Sequence, residues 1–344
     1  MIRFNNDYNC SAHEKVLEAM RNTAAESYGG YGIDPWCEKA EREIKKYLDC
    51  EKAKVHFLVG GTQANFTVIA AALRPYQSVI SADTGHIHAH ETGAVENTGH
   101  KIHALPAVDG KISAEQIRAE AQLFAESGIK EHITQPKMVY ISYPTELGTV
   151  YTLKELEEIS AVCKEYSMYL FVDGARMGYG LGFDGCDVTP KDLARLCDVF
   201  YFGGTKCGAM FGEAVVITNP DLQTDFRSYI KQNGAMLAKG WLLGLQFATL
   251  FEDGLYFEIT KRADTLAQKI KEAFVRKGIP LFVDSPTNQQ FIVLDEPQME
   301  KLSKKYIFEY EQRVDDTHHC VRFCTGWSTT QADVDALIRD IEEL

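Results

Sequence analysis

Short and almost wholly apolar runs alternate with helical patterns along the first 217 residues of the chain. The apolar runs predict strands near residues 55–59, 79–82, 137–142, 168–173, 198–202 and 213–217, with helices between them. Strands that are apolar on both faces are typical of a parallel sheet that helices cover on both sides. The alternation therefore predicts a mostly parallel α/β sheet.

The pattern changes after a long helix that we predict near residues 240–275. The segments "IPLFVDSPTNQQFIVLD", "KYIFEYEQRV" and "HHCVRFCTGW" are typical of a small antiparallel sheet, and "TQADVDALIRDIEEL" predicts a closing helix. We therefore expect an N-terminal segment and large domain over residues 1–245, and a small C-terminal α+β domain over residues 246–344.

Two helix starts carry capping signals. Ser11, with Glu14 three residues later, has the pattern of a capping box for the segment "SAHEKVLEAMRNTAAE". Thr152 stands before "LKELEEISAVCKEYS" and is the expected N-cap of that helix.

Composition excludes several function classes. The 344 residues carry a net charge of −13, without a basic stripe, so the chain is not expected to bind nucleic acid or an anionic membrane surface. No apolar run reaches the roughly 18 residues that a membrane span needs, and no signal peptide is recognised. Nine scattered cysteines without a CxxC pair indicate a reducing compartment, which predicts a cytoplasmic protein.

Two ionisable residues follow neighbouring apolar strands. Asp173 ends the strand in "FVDGAR", and Lys206 follows the strand in "VFYFGGTK". In open α/β sheets, functional groups gather at the carboxyl ends of the strands. Taken alone, Asp173 could cap the next turn or pair with Arg176, and Lys206 could extend its amine to water. Together they fit pyridoxal 5′-phosphate, which needs a lysine that bonds its aldehyde and an acid that keeps its ring nitrogen protonated.

A glycine turn offers a site for the phosphate of that cofactor. Gly60, Gly61 and Thr62 stand between a predicted strand and a predicted helix. Backbone N–H groups at a helix N-terminus favour an anion. Many strand–helix turns look like this one, so the turn supports a phosphate site only in combination with Asp173 and Lys206.

The segment "ADTGHIHAHETGA" contains His86, His88 and His90. One imidazole could stack on the cofactor ring. A metal site is the alternative, because His86 and His90 share one face of a helix, but no fourth ligand is evident. The spacing of the histidines and cysteines in "HHCVRFC" also fits no common zinc pattern, and we expect no metal.

Arg322 lies within the apolar C-terminal strand "HHCVRFC". A guanidinium in that position suits a bidentate grip on a substrate carboxylate. The alternative is an ion pair between the two domains.

These motifs, in this order and spacing, resemble the low-specificity threonine aldolases over nearly the whole chain. The matching segments are "YGIDPW", "GGTQAN", "ADTGHI", "VDGAR", "TKCGAMFGEAVV" and "VRFCT". Those enzymes belong to the β-eliminating lyase group of fold-type-I pyridoxal-phosphate enzymes. The resemblance implies an aspartate-aminotransferase-like fold, with a large, mostly parallel sheet of the seven-stranded type and a small C-terminal domain.

The resemblance also implies roles around the cofactor. Lys206 would form the Schiff base, Asp173 would pair with the pyridinium nitrogen and His86 would stack on the ring. Arg176 would contact the phenolic oxygen of the cofactor. The phosphate would be held by Gly60, Gly61 and Thr62.

The substrate carboxylate would be held by Arg176 and Arg322. Tyr31 would lie near the active site of a partner subunit, because such enzymes build their sites at dimer interfaces and assemble as homodimers or homotetramers.

Three segments depart from the family pattern. Asn6, in "FNNDY", stands where the family has a serine that contacts the carboxylate. Thr145 and Glu146, in "YPTELG", replace a segment whose histidine reaches the substrate hydroxyl. In "KQNGAMLAKG", Lys231 can take the place of an arginine that helps hold the phosphate, whereas Leu237 cannot. These changes leave the cofactor chemistry intact and the substrate open.

The sequence therefore predicts retro-aldol cleavage of a β-hydroxy-α-amino acid, L-threonine or L-allo-threonine, to glycine and an aldehyde. The base that takes the hydroxyl proton could be His86, Glu146 or a water molecule. Another pyridoxal-phosphate reaction, β-elimination or racemisation of a small amino acid, is the first alternative. A regulatory protein that binds the cofactor or an amino acid is the second.

Overall fold

A computed structural model describes all 344 residues of the chain. Its strands are β1 (Ile2–Arg3), β2 (Lys54–Leu58), β3 (Gln77–Ala82), β4 (Lys101–Leu105), β5 (Gln135–Ser142), β6 (Tyr169–Asp173), β7 (Val199–Gly203), β8 (Glu213–Ile217), β9 (Leu281–Val283), β10 (Gln289–Asp295), β11 (Tyr306–Ile307), β12 (Glu309–Arg313) and β13 (His318–Cys324). Its helices are α1 (Glu14–Asn22), α2 (Pro35–Leu48), α3 (Gly61–Ala72), α4 (His86–Ala89), α5 (Ala114–Glu126), α6 (Leu153–Glu165), α7 (Met177–Gly182), α8 (Pro190–Leu196), α9 (Phe226–Gln232), α10 (Trp241–Phe251), α11 (Leu255–Arg276), α12 (Glu296–Ser303) and α13 (Gln331–Glu342).

The large sheet has seven strands in the order β2-β8-β7-β6-β5-β3-β4. Strands β4, β3, β5, β6 and β7 are parallel. Strand β8 runs antiparallel to both of its neighbours, β7 and β2, so β2 points the same way as β7. The predicted mostly parallel seven-stranded sheet is confirmed, and six of its strands end at the same edge.

Both faces of this sheet are buried, which explains why its strands carry so few polar residues. In β7, Phe200 and Phe202 pack into the apolar cluster on one face, and Val199 and Tyr201 pack into the cluster on the other. Successive side chains of a strand point to opposite faces, so a strand covered on both sides must be apolar at every position.

The C-terminal part contains a four-stranded antiparallel sheet in the order β12-β13-β10-β9. Its core includes Phe4, Phe274, Val321 and Phe323. The N-terminal strand β1 pairs with β11, which brings the start of the chain onto this sheet. The predicted small antiparallel sheet and closing helix are confirmed, and the segment after β1 lies beside them.

Three helix boundaries test the sequence predictions. Thr152 caps α6 through a capping box, as predicted. The prediction that Ser11 caps α1 is wrong: His13 is the N-cap, because its backbone N–H donates to the oxygen of Gly208 at 2.8 Å and holds the preceding residues extended. The long helix predicted near 240–275 is two helices, which separate at Gly254, where φ is +72°.

None of the helices combines the length and the apolar character that a membrane crossing requires.

Candidate active site

Five loops that follow strands β2, β3, β5, β6 and β7 meet at one edge of the large sheet. They carry the residues singled out from the sequence, namely Gly60–Thr62, His86, Glu146, Asp173 and Lys206. These strands share one direction, so their carboxyl ends face the same side. The topology therefore brings together groups that are up to 146 residues apart in sequence, from Gly60 to Lys206.

Asp173 ends β6 and is 4% exposed. Its Oδ1 accepts a hydrogen bond from the backbone N–H of Ala175 at 2.9 Å, and its Oδ2 accepts from Asn65 Nδ2 at 2.9 Å and from the Tyr140 hydroxyl. Burial alone would raise the pKa of Asp173, but the charge of His86 and these hydrogen bonds lower it below the ordinary value. The carboxylate is therefore held ionised.

Lys206 lies in the turn between β7 and β8, next to Asp173. Its side-chain amine makes no hydrogen bond or ion pair with the protein. The backbone carbonyl oxygen of Lys206 accepts a hydrogen bond from the Tyr179 hydroxyl at 2.7 Å. Burial and the charge of Arg176 lower the pKa of Lys206, against the opposite effects of Asp7 and Asp173. An amine with a lowered pKa is a nucleophile for an aldehyde.

The turn that follows Asp173 requires glycine because β7 approaches it closely. The Gly203 N–H donates to the Gly174 oxygen at 2.8 Å, and a Cβ on Gly174 would lie 1.7 Å from the Tyr201 oxygen. No side chain fits there, so Gly174 keeps the Asp173 and Lys206 loops in contact.

His86 begins the one-turn helix α4. Its Nδ1 lies 2.7 Å from Glu91 Oε1, and its backbone N–H donates to Glu146 Oε1 at 2.9 Å. Burial lowers the pKa of His86, but the Glu91 hydrogen bond and the charge of Asp173 outweigh it and raise the pKa. Glu146 Oε1 also accepts from the Ser142 hydroxyl at 2.6 Å. His86 is thus a fixed and readily protonated ring beside Asp173.

The glycine turn opens α3. Gly60 is its N-cap and offers no side chain to the first N–H groups of the helix, so these remain free for an anion. Asn233 lies beside the same helix, since Gln63 Nε2 donates to its carbonyl oxygen at 3.3 Å. The neighbouring Lys231 is exposed, and its Nζ lies 5.1 Å from the centre of the Tyr31 ring.

Arg176 is held by an acid that the sequence analysis did not single out. Its Nε donates to Asp7 Oδ2 at 2.8 Å and its Nη2 to Asp7 Oδ1 at 3.0 Å. Asn288 also donates to Asp7 Oδ2 at 2.9 Å. Burial raises the pKa of Asp7, but the charge of Arg176 outweighs it, and the carboxylate stays ionised. Arg176 therefore pairs with Asp7 and not with Asp173.

Arg322 points from β13 and makes polar contacts within the small sheet and the N-terminal segment. Its Nη1 donates to Gln289 Oε1 at 3.2 Å and lies 3.3 Å from Glu311 Oε1, and its Nη2 donates to the Asn5 oxygen at 3.2 Å. Arg322 Nε is buried without a partner. The neighbouring Asn6 accepts the N–H of Tyr8 at 3.0 Å through its Oδ1.

Sequence reasoning missed four buried polar groups around these residues: Asp7, Asn65, Tyr140 and Glu213. Asn65 had a signal, because it lies one helical turn after Gly61 in the quoted segment "GGTQAN" and so shares its face of α3. Glu213, at the start of β8, accepts from the Gly204 N–H at 3.2 Å and the Thr205 hydroxyl at 2.9 Å. Burial raises the pKa of Glu213 to about 8, although the Thr205 bond opposes this.

This arrangement fits pyridoxal 5′-phosphate on three independent counts. The amine of the half-buried Lys206 has no partner on the protein, Asp173 is kept ionised for a ring nitrogen, and the α3 N-terminus lacks a capping side chain. The buried hydroxyl of Tyr201, which makes no hydrogen bond, lies beside Gly61.

Comparisons with known proteins find relatives that match most of the chain. The model of the β-eliminating lyase family matches residues 7–297. The low specificity L-threonine aldolase of Pseudomonas sp. (strain NCIMB 10558) is 33% identical over 90% of this chain and 88% of its own length.

Solved structures also match the chain over its whole length. A threonine aldolase from Leishmania major superposes with a TM-score of 0.97 at 41% identity, covering 100% of this chain and 99% of its own. A single mutant of Thermus thermophilus aspartate aminotransferase gives a TM-score of 0.72 at 16% identity, covering 100% of this chain and 91% of its own. The predicted aspartate-aminotransferase-like fold is confirmed.

Proposed function

Because the chain belongs to the β-eliminating lyase family, we propose that it cleaves L-threonine or L-allo-threonine into glycine and acetaldehyde. It is a pyridoxal 5′-phosphate-dependent carbon–carbon lyase. The cofactor, when bound, supplies a ring that accepts the electron pair left on the substrate α-carbon. The other requirements of the reaction fall to side chains of the protein.

The observation that carries this proposal is the state of Lys206. Lys206 is half-buried, its amine has no hydrogen bond or ion pair, and its pKa lies below the ordinary lysine value because of desolvation and the charge of Arg176. Lys206 is therefore the residue that bonds the cofactor aldehyde. Asp173, on the neighbouring strand end, stays ionised and holds the proton on the ring nitrogen.

The remaining cofactor contacts follow from the edge of the sheet. His86 would stack on the ring, and Glu91 at its Nδ1 and Glu146 at its backbone N–H would hold it in place. The N-terminus of α3, with Gly60, Gly61 and Thr62, would hold the phosphate. Lys231 adds a positive charge near that end of the site.

Two arginines have different tasks toward the substrate. Asp7 occupies Nε and Nη2 of Arg176, so Arg176 contacts the cofactor and substrate through its remaining Nη1. Arg322 would bind the substrate carboxylate, which would replace Glu311 as the anionic partner of its Nη1. Asn6 and Glu146 border the same space.

We also propose a domain division, an oligomeric assembly and a cellular compartment for the protein. Residues 1–245 form the N-terminal segment and large domain, and residues 246–344 the small domain. The protein is a cytoplasmic homodimer or homotetramer, in which Tyr31 reaches the site of a partner. Tyr31 is 48% exposed and Ile33 66% exposed, as expected of residues that a second subunit covers. Light scattering on the purified protein tests this, and a monomer would contradict it.

The decisive experiment loads the protein with pyridoxal 5′-phosphate and compares Lys206→Ala with the wild type. We expect the variant to lose the visible absorption band of the bound cofactor and all glycine formation from L-threonine, because the amine that bonds the aldehyde is gone. Lys154→Ala, at an 84% exposed side chain, is the matched control and should keep both.

The substrate is tested by supplying L-threonine, L-allo-threonine, L-serine and L-cysteine separately. Glycine and acetaldehyde are expected from the first two. Pyruvate or sulfide as the main product would favour β-elimination instead, and an unchanged band in Lys206→Ala would show that the lysine is wrongly assigned.

A further inference from the structure

His90 is an imidazole at the mouth of the active site that the roles proposed above leave unused. It directly follows α4, and its ring centre lies 5.6 Å from that of His86. Its backbone N–H donates to the His86 oxygen at 2.9 Å, which fixes its backbone. Neither ring nitrogen makes a hydrogen bond to the protein, so both are free for a ligand.

The charged groups that face His90 come from two parts of the chain. His86 and Glu91 lie on its own segment, and Glu311 of β12 and Arg322 of β13 face it from the small sheet. His90 therefore lies beside the ring that we place against the cofactor, within electrostatic range of the guanidinium that we place on the substrate carboxylate.

The other candidate proton acceptors at the site are occupied. His86 Nδ1 is bonded to Glu91, and the pKa of His86 is raised, so its ring holds a proton. Glu146 Oε1 accepts from both Ser142 and the His86 N–H. Burial lowers the pKa of His90, and the charge of His86 adds to this, so its ring is neutral near pH 7.

We propose that His90 is the catalytic base that takes the proton from the β-hydroxyl of the substrate. This assignment rests on the proposed aldolase function and deepens it. In the step, the O–H bond breaks and its proton moves to a ring nitrogen of His90. The C–O single bond becomes the C=O bond of the aldehyde. The bond between the α- and β-carbons breaks, its electron pair stays with the α-carbon, and that carbon then takes up a proton to give glycine.

The test compares a reaction that needs this base with one that does not. Exchange of the α-proton of glycine in D₂O uses the same cofactor and carboxylate contacts but has no β-hydroxyl. In loaded His90→Asn, we expect L-threonine cleavage to fall by about 10²-fold, since general bases contribute roughly 10²–10⁴-fold. Glycine exchange, glycine affinity from spectral titration and the absorption band of the cofactor should stay within about threefold of the wild type.

A pH profile gives a second readout. In the wild type, kcat/KM for threonine should fall at acidic pH, where His90 becomes protonated, with an apparent pKa below about 6.5. This acidic limb should be absent from His90→Asn. His88→Asn, at an exposed neighbouring histidine, is the matched control and should behave as the wild type.

Each other outcome overturns the assignment. Cleavage near the wild-type rate in His90→Asn would show that another group, such as Glu146, is the base, and Glu146→Gln would then show the larger loss. Parallel loss of cleavage and glycine exchange, or loss of the absorption band, would give His90 a structural role. A wild type that exchanges glycine but cleaves no β-hydroxy amino acid would refute the proposed function itself.

Discussion

The pKa values of two buried aspartates in different regions of the molecule are shifted in opposite directions. Asp173, at the carboxyl edge of the large sheet, is 4% exposed, and Asp264, on α11 against the small domain, is 2% exposed. Asp173 accepts hydrogen bonds from Ala175, Asn65 and Tyr140. Both oxygens of Asp264 lack a partner. Burial raises the pKa of Asp264 well above its ordinary value, whereas the partners of Asp173 reverse the same effect.

The comparison shows that burial alone does not make a functional carboxylate. A buried acid without partners avoids the cost of an isolated charge by keeping its proton. An acid with three donors and a nearby imidazole keeps its charge at pH 7. The charge at position 173 is therefore produced by residues from three other elements, and substitutions at the buried aspartates test this explanation.

The largest effect is expected from Asp173→Asn. Removing one partner of a buried charge pair costs about 3–5 kcal/mol, which as a barrier corresponds to roughly 10²–10⁴-fold in rate. Turnover of L-threonine by the loaded enzyme should fall by that factor, while the thermal transition stays close to that of the wild type. Asp264→Asn is the matched control, because it makes the same change at an equally buried aspartate. Equal turnover in the two variants would show that the charge of Asp173 is no more important for catalysis than Asp264.

The next largest effect is expected from Asp7→Asn, which tests whether a buried acid with a cationic partner contributes to stability. Asp7 is the only carboxylate paired with Arg176, whose side chain is 14% exposed. The free energy of unfolding, from urea titration, should fall by about 3 kcal/mol, since a buried guanidinium loses its countercharge.

The control for Asp7→Asn is Lys305→Ala, which removes an ion pair to Asp340 at a largely exposed lysine. It should cost less than about 1 kcal/mol. Similar losses in the two variants would mean that the Asp7–Arg176 pair is no more important than a surface pair.

The last effect depends on pH and is a stabilisation by Asp264→Asn. Between the ordinary pKa of an aspartate and the raised folded value, the unfolded chain releases a proton that the folded chain keeps. Wild-type stability therefore falls as pH rises through this window, by up to about 1.4 kcal/mol per pH unit. Asparagine does not titrate, so the advantage of the variant in thermal unfolding should grow from pH 4 to pH 8.

Asp184→Asn, at an exposed aspartate near Asp264, is the control, and its thermal stability relative to the wild type should not increase with pH. An advantage of Asp264→Asn that is independent of pH would mean that Asp264 is ionised in the folded protein.

The fold could be predicted largely from the sequence because the parallel sheet leaves a direct signal. Strands covered on both faces must be apolar throughout, as in "MYLFVDGA" and "VFYFGGT". The first and last residues of helices were less predictable. Ser11 has the pattern of a cap, but a backbone bond from His13 to Gly208, which only the folded chain provides, moves the helix start by two residues.

The candidate site was predictable where a functional residue lies at the end of a strand. Asp173, Lys206 and the glycine turn follow strands that the apolar pattern identifies, and strand ends of one direction must meet. The groups that determine their charge were not predictable. Asn65 and Tyr140 bond Asp173 from α3 and β5, and neither a helical Asn nor a strand Tyr differs in sequence from a packing residue.

The sequence by itself determined the layered fold, the cofactor and the family, because periodicity and chemical type are local properties. Only the tertiary structure decided that Arg176 pairs with Asp7, that Glu311 meets Arg322 and that the ring of His90 lies beside that of His86 with both of its nitrogens free. Pairing and protonation depend on distances between distant segments. These distances exist only once the N-terminal segment and the small sheet have packed against the edge of the large sheet.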